Sequence, residues 1–463
     1  MVFSRLFFIY LFFPICFLCY FATKKTSYRN AVLIVFSLLF YACGDISFLW
    51  LVVASALVNF VLGRGIDKFR DKAPAKAFLA LGLVLNLGTL VGFKYTGFFI
   101  ENLNNWFSLS IPVPDLPLPL GISFFTFRTV SYLIDCAWGK VKAERNFFTF
   151  LLYVSFFPIT ISGPIARYET MQADLHQRRI SADDISIGFG RIAVGLAKKI
   201  MLADRLSGIV DQFLGNDFTS QTTLGVWYGV VLYALQMYFD FSGYSLMAMG
   251  LGQMLALPVP RNFDLPYTAR SVSEFYRRWH ITLGTWFRDY VYIPLGGSRN
   301  GNARTVLSLT VVWFFTGLWH GASWNFVLWG VMLLGFILLE KFCIGDFLKE
   351  HKVLSHVYLL FVIPQTWVIF RITRLKDVGA YFSRLFPLFG AHSAVSAQDA
   401  LKLLSSYWWL LLLAIFFCLP QPRRFYEKHR GSLLVQLPLF LLFWVCVYFI
   451  ATSSGNAFLY SRF

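Results

Sequence analysis

Between residues 305 and 339 the chain reads TVLSLTVVWFFTGLWHGASWNFVLWGVMLLGFILL, without one Asp, Glu, Lys or Arg and with His320 as its single histidine. Crossing a bilayer core takes roughly 20 apolar residues, so this run is too long for one straight span. Tilt, or a break near residues 317–321, is expected. Other charge-free runs lie at 6–23, 146–166 and 432–461. Only 14% of the 463 residues are charged, against about 25% in soluble domains. The chain therefore reads as one all-α, polytopic transmembrane domain over 1–463, with about eleven spanning or re-entrant helices.

The formal charge of +17 fits cytoplasmic loops rich in Lys and Arg better than nucleic-acid binding, because no basic stretch forms an extended soluble arm. The cysteines number seven and show no clustered metal spacing, and their odd count argues against a full disulfide set. The Phe-rich start behind Arg5 lacks a cleavage site and is read as a retained first span. Lys24, Lys25 and Arg29 follow it; residues 31–62, broken at "CGDIS", suit a hairpin with Asp45 on the far side. Residues 77–93 lead outward to "IPVPDLPLPLG", too rich in proline for a helix. "FLLYVSFFPITISGPIARYE" has basic flanks on both sides and breaks at Pro158, Gly163 and Pro164. It is either re-entrant or a kinked single span.

Ionisable groups at membrane depth are costly and usually face a cavity or a partner. Histidine is the exception that can stay neutral, and a neutral imidazole can take a proton from an alcohol. Gly317 and Gly321 beside His320 form a small-residue pair that lets another backbone or a substrate come close. Thr316, Ser323 and Asn325 offer hydrogen bonds, and Trp313, Trp319, Trp324 and Trp329 offer apolar walls. A structural histidine bonded between helices explains the stretch equally well.

A second constellation is "SEFYRRWHITLGTWFRDYVYIPLGGSRNG". As a helix from about Ser273 it pairs Glu274 with Arg278, continues a polar face through Thr282, Thr285, Arg288 and Asp289, and puts Trp279 and Trp286 on one side. An interfacial amphipathic helix accounts for most of this. It accounts less well for His280 beside two arginines, whose charge favours the neutral ring. In "LQMYFDFSGYS", Gln236, Asp240 and Tyr244 form one polar stripe, in which Asp240 is expected to anchor an arginine of the basic stretch. The other histidines (His176, His351, His356, His392 and His429) have no comparable setting. No Walker loop, G-x-S-x-G or HExxH is present.

At these residues the chain resembles the membrane-bound O-acyltransferases, and within them the bacterial branch that O-acetylates polysaccharides such as alginate and peptidoglycan. The matching stretches are "PLGISFFTFRTVSYLID", "VSFFPITISGPIAR", "MYFDFSGYSLMAMGLG", "EFYRRWHITLGTWFRDYVYIPLGGSRNG" and "GLWHGASWNFVLWG", in order over about 119–330, while the helices of 353–463 are less telling. Thr316 stands where glycine is common, and the ending "FLYSRF" matches only approximately. The resemblance implies a catalytic tunnel through the membrane, with His320 as the catalytic histidine and His280 as a second functional one. Arg278, Arg288, Asp289, Trp319, Ser323 and Asn325 are the expected substrate-binding residues. Gln236, Asp240, Tyr244 and Glu274 are expected to form a structural polar network.

No metal and no permanently bound cofactor are expected; acetyl-CoA or another acyl thioester is the implied donor. The implied partners are the lipid bilayer, a polysaccharide acceptor and an extracytoplasmic SGNH-type acetyltransferase, with the chain multi-pass in the inner or plasma membrane. D-alanyl, lipid or protein acylation is an alternative within the family. A precursor or acyl transporter is the alternative outside it, and it would be expected to show an internal repeat.

Overall fold

The computed structural model describes residues 2–214, 221–386 and 397–452; His392 and the ending "FLYSRF" lie outside them. The described residues are helical with no strand, and Phe263 and Trp279 form an isolated bridge. By contact the chain divides into two compact units, Met1–Ile192 with Ser245–Arg261, and Ala193–Tyr244 with Asn262–Phe463.

In the first unit, Thr26–Asp45 and Leu49–Lys68 both pack on the short helix Phe147–Ser155. The expected break falls at Asp45, whose backbone is extended at φ −161°, ψ 90°. Rings of Phe3, Phe8, Phe12, Phe40 and Phe157 interlock with centroids 5.2–6.2 Å apart. The helix Ile122–Ala137 is buried along most of its length and packs against Leu49–Lys68 and Ala73–Phe107. Apolar surface alone gives helices in lipid little reason to associate, so polar contacts matter there. Asn59 donates to Asn86 Oδ1 at 3.0 Å, and the Thr129 hydroxyl donates to the same oxygen at 2.9 Å.

Two expectations change in length. Ala73–Phe107 runs well beyond residue 93, because nothing between Lys94 and Phe107 breaks a helix; it stops at Ser108, in the left-handed region. The first apolar helix, Phe8–Phe21, falls short of the length read for a span. Five described helices are long and apolar enough to cross a membrane, and a sixth if the bent pair Leu404–Cys418 and Pro420–His429 counts as one. Much of the remaining apolar sequence among the described residues lies in shorter or broken helices.

The "FLLYVSFFPITISGPIARYE" segment is one of these. Its main helix, Phe147–Ser155, has 9 residues, and at about 1.5 Å per residue it cannot cross a bilayer core. Its broken backbone finds partners inside the protein. Arg128 donates to Val154 O at 2.7 Å, the Ser37 hydroxyl accepts from Phe157 N–H at 3.1 Å, and Thr160 donates to Phe156 O at 2.8 Å. Gly121, at φ 70°, lies so close to the Thr160 carbonyl that a Cβ would collide with it. These features favour the re-entrant reading over a kinked single span.

In the second unit, Gly301–His320 and Trp324–Leu339 form a helical hairpin, with the break at Gly321 as expected. The helix Lys352–Arg371 packs on Trp324–Leu339. Lys199 lies between two carboxylates, 2.7 Å from Asp240 and 2.8 Å from Asp204. Asp240 thus pairs with a lysine of a preceding helix. Polarity on one face predicted that a partner exists, and packing chose which.

Candidate active site

His320 is the last residue of Gly301–His320. Its Nδ1 lies 2.7 Å from Thr316 O, and a carbonyl can only accept, so Nδ1 carries the proton and donates. That leaves Nε2 as the nitrogen with base character. The ring is held by Trp319, Trp329 and Phe370 at centroid distances of 4.9, 4.9 and 5.3 Å. Its hairpin is closed by glycine: a Cβ on Gly330 would fall 2.5 Å from Trp313 O, and one on Gly317 would strike Phe326 O. The close approach expected at Gly317 is therefore made by the neighbouring backbone.

His280 reaches the site differently. The helix expected to run on from Ser273 is broken there: Val272–Arg278 ends, His280 sits at φ 45°, ψ 52°, and Ile281–Phe287 begins. A non-glycine residue in the left-handed region persists only where its surroundings hold it. Buried Asn262 does so, accepting from Ile281 N–H (3.0 Å) on its carbonyl and from Thr282 N–H (3.1 Å) and hydroxyl (2.9 Å) on its side chain. Asp264 N–H closes the other side on Arg278 O at 2.9 Å. The break ends the shared face expected of Trp279 and Trp286, and both are buried. Burial, and then the neighbouring His320, push the His280 imidazole well below its usual range, so the ring is neutral. The neutrality expected from the arginines has desolvation as its main cause.

The Trp319 ring packs against both imidazoles, 5.9 Å from His280 and 4.9 Å from His320. His280 and His320 are 3% and 4% exposed, yet both line one cavity of about 1030 Å³. The same cavity reaches the exposed side chains of Arg277, Arg288, Lys341 and Lys349.

The expected substrate-binding residues divide. Arg288 lines the cavity, as does Glu274 of the polar network, which pairs with Arg278 at 2.6 Å as its spacing predicts. Arg278, Asp289, Trp319, Ser323 and Asn325 are not on the cavity wall. Asp289 pairs with Arg288 at 2.6 Å. Asn325 donates to Ile369 O and Phe370 O, both at 3.2 Å, and so satisfies carbonyls at the end of Lys352–Arg371. Ser323 precedes the helix Trp324–Leu339. Gln236 and Tyr244 are buried.

Arg270 and Arg277, arginines of the basic stretch 261–304 that were not singled out, line the cavity, as do Lys341 and Lys349, which sequence reasoning passed over. Arg277 and Arg278 are adjacent on the helix Val272–Arg278, and the first lines the cavity while the second pairs with Glu274. His176, also passed over, lies 2.8 Å from buried Glu144 in the first unit.

Residues 77–351 match the family described as MBOAT, membrane-bound O-acyltransferase family. The chain is 36% identical to the probable alginate O-acetylase AlgI of Azotobacter vinelandii, over 83% of this chain and 78% of that protein. It is 30% identical to the peptidoglycan O-acetyltransferase of Helicobacter pylori, over 100% of this chain and 98% of the relative. Similarity extends, at 27% identity over 51% of this chain and 65% of the other, to a teichoic acid D-alanyltransferase of Bacillus subtilis. With these matches and its apolar helices, the chain belongs to the membrane-bound O-acyltransferase family and is a multi-pass membrane acyltransferase.

Proposed function

We propose that this chain moves an acetyl group from a cytoplasmic thioester, acetyl-CoA or a related ester, to hydroxyls of an exported polysaccharide, either an alginate-like polymer or a cell-wall glycan. The single observation carrying this reading is one cavity that holds two buried imidazoles and also reaches a set of cationic side chains. Guanidinium and ammonium groups suit the phosphates of a thioester donor. The names of the relatives support the acetyl group and the polysaccharide acceptor.

In the proposed step, His320 Nε2 takes the proton of the accepting hydroxyl as its oxygen attacks the thioester carbonyl. The carbon–sulfur bond then breaks, and the imidazolium returns the proton to the leaving thiolate. A neutral His280 holds an N–H with which to stabilise the developing oxyanion. The chemistry needs no metal or resident cofactor. The acceptor is the sugar itself or a serine on an extracytoplasmic SGNH-type partner, and the chain resides in the inner or plasma membrane.

Purified full-length protein should release free thiol from acetyl-CoA only when acceptor is present, tested with oligomannuronate and with peptidoglycan fragments. His320→Ala should abolish cellular O-acetylation while the protein stays in the membrane at normal level. Normal O-acetyl content in that strain would reject the assignment, and acceptor-independent movement of intact precursor would favour transport instead.

A further inference from the structure

We propose that the rings of Tyr276, Trp313 and Trp329 restrict the acyl group admitted beside His320 to about the size of acetyl, an inference that rests on the thioester-donor reading above. The cavity is lined by two kinds of group: the cations Arg277, Lys341 and Lys349, and the rings of Tyr276, Trp313 and Trp329, which pack on one another and, through Trp329, on His320. A thioester donor has two matching parts, with phosphates at one end and an apolar acyl group at the other. Matching charge to charge places the acyl group among the rings.

Val312, Trp313, Thr316 and His320 all line the cavity from one helix, so Trp313 shares a stripe with the proposed base. Trp313 lies 4.9 Å from Tyr276 at 77° and 6.4 Å from Trp329; Tyr276 lies 6.1 Å from Trp329. Trp329 in turn lies 4.9 Å from His320. These edge-on contacts join the three rings into one aromatic wall.

The backbone behind the wall is confined. Gly330 follows Trp329 and packs on the carbonyl of Trp313 without room for a methyl group. The two tryptophan-bearing helices are therefore in direct backbone contact, which sets Trp313 and Trp329 at a fixed spacing beside His320. One extra methylene against a fixed apolar wall is worth roughly tenfold or more in discrimination.

The test is equilibrium binding of acetyl-, butyryl- and hexanoyl-CoA to the full-length protein in lipid nanodiscs. The parent protein should bind acetyl-CoA at least about tenfold more tightly than hexanoyl-CoA. Trp313→Ala should abolish or invert that preference, with Trp313→Phe intermediate; if the alanine variant does not yield a single species on gel filtration, the phenylalanine variant decides. Equal binding of all three esters by the parent protein would overturn the proposal, as would an unchanged preference in well-behaved variants. If the parent binds none of the esters, the thioester donor is itself rejected and the inference falls with it.

Discussion

At the scale of single residues, the site depends on side chains that hold backbone as much as on those that react. Asn262 receives three hydrogen bonds across the break at His280. Asn262→Ala removes the side-chain acceptor from the buried Thr282 N–H and hydroxyl, at a cost of about 1–3 kcal/mol. With the left-handed turn released, kcat for acetyl transfer should fall well over tenfold while binding of the donor to the cationic residues is retained, as measured on purified protein. Glu144 illustrates a charge held for stability. Burial works against its ionised form, but Tyr168, the Asn146 and Arg145 N–H groups and His176 together hold its carboxyl below the ordinary value of 4.5. A carboxylate depressed in this way contributes its stability above its unfolded pKa and loses it as pH falls through the folded one. Glu144→Gln should therefore lower thermal stability at pH 7 by about 2 kcal/mol. The gap from the parent should shrink below about pH 4.5, which paired melting curves across pH would show.

At the scale of elements, glycine sets how closely the histidine hairpin closes. Gly330→Ala puts a methyl group 2.5 Å from the Trp313 carbonyl. Overpacking of this kind costs about 1–3 kcal/mol and shifts Trp329 against His320. A lower melting temperature together with at least tenfold weaker acetyl transfer is expected; a variant with parental activity would show that the spacing of the two helices is immaterial. Small residues in GLWHG signalled a close contact in the sequence, but not with what. The neighbour could be named only once Trp324–Leu339 was seen folding back. The same holds for "EFYRRWHITLGTW". Its pairing of Glu274 with Arg278 was legible because four-residue spacing is a local property of helices. Its break was not, because the acceptor that stabilises it lies at position 262.

At the scale of the whole molecule, loop charge and hydropathy predict how the chain crosses the bilayer. Cys343 adjoins Lys341, Lys349 and Lys352, whereas Cys43 lies next to Asp45 at the end of an apolar helix. Both cysteines are exposed. Lys-rich segments stay in the cytoplasm. A membrane-impermeant maleimide should therefore label Cys43 in intact spheroplasts and Cys343 only after permeabilisation, in single-cysteine variants read by mass shift. Labelling of Cys343 in intact cells would reverse the orientation and move the donor's entrance to the other side.

The sequence alone determined that the chain lives in a membrane, that it is helical, and that His320 and His280 stand in motifs shared with acyltransferases. Those properties follow from sums over neighbouring residues and from ordered motifs, both written directly along the chain. Tertiary structure alone decided that Arg277 rather than Arg278 lines the cavity, that Asp240 pairs with Lys199, and that Asn325 donates to carbonyls at the end of a helix. The Lys199–Asp240 pair and the Asn325 hydrogen bonds join residues distant in sequence, so no local pattern records them.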